Sequence, residues 1–237
     1  MKIDFHSHVL PGIDDGSRSV LESIRMLKME ASQGIRHVVA TPHFYSHRDN
    51  PTQFLVRRQE SELRLREEME KHSDLPKLSI GAEVFYFRGI SESSILPDLT
   101  IDHSDFLLLE MPVGSWSKSI LEDVEQIYYK QGITPIIAHV DRYMGTFRTY
   151  GIPKLLQRMP VLVQANAGFV LRSSTRARAL RMIRRDQIQL FGSDCHNMTT
   201  RLPNLGSAYQ LLEKRLGTGK VASMNEFGLQ LLDNSLD

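Results

Sequence analysis

Short apolar runs of strand length alternate along this chain with longer stretches of helical period. The runs that read as strands are 2–6 (KIDFH), 37–41 (HVVAT), 77–84 (KLSIGAEV), 105–111 (DFLLLEM), 134–140 (TPIIAHV), 160–166 (PVLVQAN) and 188–193 (IQLFGS). Apolar periodicity predicts helices near 18–32, 52–72, 117–131, 152–158, 173–186 and 205–216, with an irregular stretch from Phe85 to Ser104. In "SQGI" and "KQGI", Gly34 and Gly132 stand where a helix C-terminal cap belongs, directly before the next strand. Strand followed by helix, repeated, builds parallel strands joined by crossovers, and strands apolar at nearly every position are covered on both faces. The expected architecture is therefore α/β, a closed or partly closed barrel forming a single domain over residues 1–237.

The polar exceptions gather at one place in this pattern. His6 and His8 follow the first strand, His43 the second, Glu83 lies near the end of the third, Glu110 ends the fourth, His139 ends the fifth, and Asp194 and His196 follow the seventh. Side-chain alternation places His6 and His8 on one face, about 7 Å apart along an extended backbone, so one ion could take both. In a parallel barrel all these ends share one rim, where active sites are assembled. A single polar residue at a strand end is ordinarily just solvated or hydrogen-bonded. Six of the seven predicted strands behaving alike asks for a common cause, whereas His37, His47, His72 and His103 lie elsewhere.

Imidazoles mixed with carboxylates, without a thiolate cluster, suit Mn, Fe, Zn or Co in a multinuclear site. The "GIDDG" loop brings Asp14 and Asp15 toward the same rim, giving more ligand groups than one ion needs and enough for about two or three ions. Clustered divalent ions activate a water and brace the attacking and leaving oxygens of a displacement at phosphorus, so the expected chemistry is hydrolysis of a phosphate ester. Arg142, three residues past His139, and Arg201, five past His196, are candidate phosphate clamps, because the guanidinium fork matches two phosphate oxygens.

Composition narrows the partners. A formal net charge of +1 supplies no overall attraction to nucleic acid or membrane, and no basic-flanked apolar leader or run of about 20 apolar residues appears. The single cysteine, Cys195, excludes an intramolecular disulfide and suits a reducing compartment, so a soluble cytoplasmic location is expected. The helix at 52–72 pairs Arg58 with Glu62, Glu60 with Arg64, Glu62 with Arg66 and Glu67 with Lys71 at i, i+4, which reads as a solvated face.

"DFHSHVLPGIDDGS", "ATPHF", "GAE", "LLLEMP", "AHVDR" and "SDCHN" followed by "RLP" resemble the polymerase-and-histidinol-phosphatase (PHP) superfamily, and more closely its bacterial manganese-dependent protein-tyrosine phosphatases of capsule and exopolysaccharide loci. The resemblance implies a distorted (β/α)₇ TIM-like barrel with a trinuclear metal site. By motif position, His6, His8, Glu83 and Asp194 would hold one metal, Glu83 would bridge to a second with Glu110 and His139, and Asp15, His43 and His196 would hold a third. Arg142 and Arg201 would hold the phosphate while a metal-bridged hydroxide attacks phosphorus. The implied partner is the phosphotyrosine-rich tail of a bacterial tyrosine kinase that controls polysaccharide export. After His43 the chain reads "FYSHRDNPTQF", without the second histidine that many such proteins carry there.

Three other readings compete. Cys195 to Arg201 has the Cys-x₅-Arg spacing of thiol phosphatases, but Asp194 beside it would raise the thiol pKa and no glycine lies between. A non-catalytic regulator could present "RSSTRARALRMIRR" (172–185) to an acidic partner. A small metabolite such as histidinol phosphate could be the substrate instead.

Overall fold

The computed structural model describes residues 1–144 and 151–233, so 145–150 and 234–237 of the expected 1–237 domain lie outside the described residues. The chain opens with β1 (Lys2–Ser7), α1 (Val20–Ser32), β2 (Ile35–Ala40), β3 (His43–Phe44), α2 (Pro51–Met69), β4 (Lys77–Ile80) and β5 (Glu83–Phe85). After a one-turn helix α3 (Leu96–Leu99) come β6 (Phe106–Glu110), α4 (Lys118–Gln131), β7 (Thr134–Ile137), α5 (Ile152–Leu156) and β8 (Leu162–Asn166). The chain continues through α6 (Ala167–Leu171), α7 (Ser173–Arg184), β9 (Leu190–Gly192), α8 (Leu205–Leu216) and α9 (Thr218–Leu232).

All strand pairs are parallel, in the orders β1-β2-β4 and β3-β5-β6-β7-β8-β9. The predicted strand at 77–84 is broken in two, and a further short strand, β3, follows the one predicted at 37–41. Pro42 has no N–H to continue the ladder from β2 into β3, and Gly81 and Ala82 separate β4 from β5. Backbone bonds carry the sheet across these gaps, Gly81 N–H donating to Ala40 O at 2.9 Å and Glu83 N–H to Pro42 O at 3.0 Å. At the far side the sheet curls back on itself: His8 N–H donates to Cys195 O at 2.9 Å and Asp194 N–H to His6 O at 2.8 Å. The result is an α/β fold with a curled parallel sheet whose strands all point their C-terminal ends to one rim.

Apolar layers cover both faces of this sheet. On one face Ile3, Phe5, Val39, Leu108, Ile136 and Leu190 pack together, and on the other Val38, Leu107, Leu109, Ile137 and Phe191 join the helices. Leu231 of α9 packs into the first group. This helix was not expected, since Gly219, Asn225 and Gly228 are poor helix formers. Tertiary contacts hold it: Asn225 Oδ1 accepts from Ile3 N–H at 3.2 Å, and at Gly228 a β-carbon would fall 2.7 Å from the Phe5 ring. The face of α2 differs too. Arg58 is buried and donates to the carbonyls of Gly81 and Asp98, so it leaves the expected solvated row, whereas Arg66 does pair with Glu62 at 2.6 Å.

Candidate metal centre

Local backbone features aim the side chains at the rim. Between Asp4 and Ser7 the pairing of β1 with β2 shifts by one residue, an irregularity of the kind that re-aims a side chain beside an active site, and His6 lies within it. His139 and Asp194 take positive φ, 32° and 54°, a costly conformation for residues with a β-carbon that persists where surroundings over-determine it. Two glycines make room for imidazoles: a β-carbon at Gly16 would fall 2.4 Å from His8 O, and one at Gly192 2.4 Å from His6 Cβ.

These features bring four imidazoles onto one buried carboxylate. Glu83 Oε2 lies 3.2 Å from His6 Nε2, 3.4 Å from His8 Nε2 and 2.9 Å from His43 Nδ1, and its Oε1 lies 2.7 Å from His139 Nε2. His6 Nε2 and His8 Nε2 are only 3.1 Å apart. Asp194 Oδ1 stands 3.6 Å from each of those two nitrogens and from His196 Nδ1. Asp15 Oδ1 reaches His43 Nε2 and His196 Nε2 at 3.5 Å each, and Glu110 Oε1 reaches His139 Nε2 at 3.5 Å. All nine residues singled out as metal ligands thus meet at one rim. Ligand atoms within 4.8 Å of one another form the groups His8–Asp15–His43–His196, His6–His8–Asp194 and His43–Glu83–Glu110. Against the partition implied by motif position, His8 also joins the Asp15 group and His43 the Glu83–Glu110 group, whereas Glu83 is not in the His6–His8–Asp194 group and His139 is in none.

The donor set suits divalent cations. Among the described residues His43 Nδ1, Glu83 Oε2 and His196 Nε2 are buried and, although close to other ligand atoms, form no hydrogen bond, an arrangement that a bound cation would satisfy. Burial works against ionisation of Glu83, yet His6 beside it, the hydrogen bond from His139 and the close His43 ring hold its carboxyl well below the usual range. Asp194 is likewise lowered, against its burial, by His6 and His8. His8 is pushed up to about 10: burial alone would lower it, but its bond to Asp14 and the nearby Glu83 carboxylate outweigh that. His196 is pushed down to about 4 by burial, His8 and Arg201. The rim therefore holds ionised carboxylates among crowded imidazoles, so cations entering here would meet anionic oxygens.

A surrounding layer orients these groups, and most of it escaped the sequence reading. Asp14 Oδ2 lies 2.7 Å from His8 Nδ1 and accepts from His43 N–H at 3.0 Å, and Asp14 is held down to about 2, its bonds to His8 overcoming burial. Gln164 Oε1 accepts from His139 N–H at 2.6 Å and faces His6 Nδ1 at 3.4 Å; Asn166 Nδ2 donates to Asp194 Oδ2 at 2.8 Å. The sixth predicted strand, the one that seemed to bring nothing to the rim, supplies these two amides. The polar residues in its ending "QAN" were the available signal. Asp4 Oδ1 accepts from the N–H groups of His6 and Ser193, at 3.0 and 2.9 Å.

Both candidate arginines reach the rim. Arg142 donates from Nη1 to Glu110 at 3.1 Å and from Nη2 to Asp194 at 2.7 Å, and Arg201 donates from Nη2 to Asp194 Oδ1 at 2.6 Å. Each side chain is a little over one-third exposed, 37% and 38%, which leaves donors facing the opening. Cys195 has 0% exposure, and burial pushes its thiol well above its usual value, with Glu30 and Asp4 adding to the rise. A thiolate nucleophile is thus disfavoured where Cys-x₅-Arg spacing had suggested one.

Fold and rim together define an α/β protein with a cluster of imidazoles and carboxylates able to hold metal ions. The chain belongs to the family described as capsular polysaccharide synthesis, CpsB/CapC, whose model matches residues 2–226. It is 28% identical over 232 residues to tyrosine-protein phosphatase CpsB of Streptococcus pneumoniae, covering 94% of each chain. Tyrosine-protein phosphatase YwqE of Bacillus subtilis is 27% identical over 242 residues, covering 98% of this chain and 92% of that one. Among solved structures, one from work on YwqE and CpsB as metal-dependent tyrosine phosphatases superposes with a TM-score of 0.84 at 23% identity, covering 99% of this chain and 95% of the other. Among the described residues no helix is long and apolar enough to cross a membrane.

Proposed function

We propose that this protein is a metal-dependent protein-tyrosine phosphatase acting on the phosphotyrosine-containing tail of a bacterial tyrosine kinase in capsular or exopolysaccharide synthesis, in the cytoplasm. The observation that carries the reading is the convergence of His6, His8, His43 and His139 on Glu83, with Arg142 and Arg201 beside them. Names of the CpsB and YwqE relatives support the choice of phosphotyrosine. We take residues 1–237 as one domain, a distorted (β/α)₇ barrel of the PHP type. The backbone bonds from His6 and His8 to the segment after β9 support that closure.

In this proposal the metal ligands are His6, His8, Asp15, His43, Glu83, Glu110, His139, Asp194 and His196, holding a trinuclear manganese centre. Such ions, when bound, supply an activated water and neutralise charge that develops at phosphorus. The protein's own groups do the rest. Arg142 and Arg201 hold the non-bridging phosphate oxygens in two-point contacts, and those bonds strengthen as the oxygens gain charge. Asp14 and Gln164 fix the rings of His8 and His6, and Asn166 with the arginines fixes Asp194, so the donors need no rearrangement during reaction. A phenolate leaving group, with a free pKa of about 10, needs no dedicated proton donor of the kind an alkoxide needs.

The test is steady-state turnover of a phosphotyrosine peptide by manganese-loaded protein, beside histidinol phosphate. The expected result is hydrolysis favouring the peptide, abolished by chelation and retained in Cys195→Ser. Preference for histidinol phosphate would replace the substrate, loss of activity in Cys195→Ser would favour the thiol mechanism, and no hydrolysis of either would favour a regulator.

A further inference from the structure

The rim beside His43 is aromatic. The Tyr45 ring lies 5.2 Å from the His43 ring, tilted by 32°, and 5.8 Å from the ring of Phe85. Phe85 stands opposite Glu110 in the β5–β6 register, and Arg142 holds Glu110, so this wall borders the phosphate end of the site. A tight turn fixes Tyr45 in place: its N–H donates to Asp49 Oδ2 at 2.8 Å, and its carbonyl accepts from the N–H groups of Arg48 and Asp49, at 2.9 and 2.8 Å. The Arg48 guanidinium rests 4.5 Å above the ring, but its side chain is 62% exposed, so moving it aside costs little.

Tyr45 is not spent on the core. It is half-buried, and its hydroxyl makes no hydrogen bond to any described residue. An ordinary phenol titrates at about 10, so at neutral pH the ring carries no charge to repel an incoming phosphate. A neutral, half-exposed ring beside a phosphate clamp offers a flat apolar surface, which a second aromatic ring fits and a short alkyl chain does not.

We propose that Tyr45, backed by Phe85, is the wall against which the aromatic ring of a phosphoaryl ester lies while its phosphate is held at Arg142 and Arg201. This makes Tyr45 a specificity-determining residue for aryl over alkyl phosphate esters, and it rests on the phosphatase reading above. Ring-on-ring contact gives a modest but selective gain, because it forms only with substrates that carry a ring.

The experiment measures kcat and KM of manganese-loaded wild type, Tyr45→Ala and Tyr45→Phe on one peptide carrying phosphotyrosine or phosphoserine. Calorimetry on the same proteins compares binding of phenylphosphonate with methylphosphonate. In Tyr45→Ala the aryl-to-alkyl ratio of kcat/KM should fall about tenfold, mainly through KM, and the phosphonate preference should shrink in parallel. Tyr45→Phe, which keeps the ring, should recover most of both. An unchanged ratio in Tyr45→Ala, or equal losses on both esters, would overturn the wall. If wild type prefers phenylphosphonate and Tyr45→Ala loses that preference while neither ester turns over, the phosphatase reading falls and the wall stands.

Discussion

Glu30 on α1 is the group whose replacement tests the electrostatic reading of this fold most sharply. It and Asp4 have 0% exposure, and among the described residues neither Oε of Glu30 nor Oδ2 of Asp4 has a hydrogen-bond partner. Burial, followed by repulsion from Asp4, raises the Glu30 carboxyl well above its usual value, and Asp4 is raised as well, chiefly by burial. The folded state therefore keeps a proton on this pair that the unfolded chain gives up. Its stabilising effect is complete below the unfolded carboxylate pKa of about 4.3 and is lost as pH rises through the folded value. Glu30→Gln removes the ionisable group and adds an amide donor for Asp4 Oδ2. Each pH unit over which the folded pair keeps a proton that the unfolded chain has released lowers wild-type stability by about 1.4 kcal/mol, so the variant should be more stable than wild type by at least about that much near pH 8.5. Near pH 5 the two should agree to within about 1 kcal/mol. Thermal denaturation of the manganese-loaded proteins at both pH values checks this, each kcal/mol moving Tm by about 2–4 °C for a chain of this size. A stability difference that does not change with pH, or a variant less stable at the higher pH, would refute the reasoning.

Other outcomes follow from the rim. Arg142→Ala and Arg201→Ala should each lower kcat/KM on phosphotyrosine peptide by about 10- to 100-fold, since a hydrogen bond to a charged group contributes about 1.5–3 kcal/mol; lysine at either position should recover only part, having no planar fork. Asp14→Asn should weaken metal binding by about 10- to 100-fold, read by competition with a fluorescent chelator, because the ring of His8 loses its anionic partner. Gly192→Ala, whose added carbon would fall 2.4 Å from His6 Cβ, should lower metal content by elemental analysis more than it lowers helix content by circular dichroism.

Much of the site was legible before the fold was. The strand-helix alternation and the His, Asp and Glu residues ending six strands pointed to one rim, because parallel strands must bring like ends together whatever their order. Local pattern also located α1, α2, α4 and α8 to within a few residues, since each carries a helical apolar period and Gly34 and Gly132 mark the stops of α1 and α4. Less legible was whatever depends on a distant neighbour. The helix α9 has weak intrinsic preference and exists through Gly228 against Phe5 and Asn225 on the backbone of β1. Arg58 looked like one more member of a solvated charge row, yet two carbonyls from remote segments draw it inside.

The sequence by itself determined which residue types stand at the strand ends, because strand periodicity is a property of neighbours along the chain. Only the tertiary structure decided how those residues group. His8 and His43 each lie in two ligand sets, Gln164 and Asn166 serve as orienting amides, and Cys195 turns toward Asp4 and Glu30 rather than toward the opening. Side-chain grouping of this kind depends on the curl of the sheet, the shift within β1 and the left-handed turns at His139 and Asp194. All of these are set by packing between segments far apart in the chain.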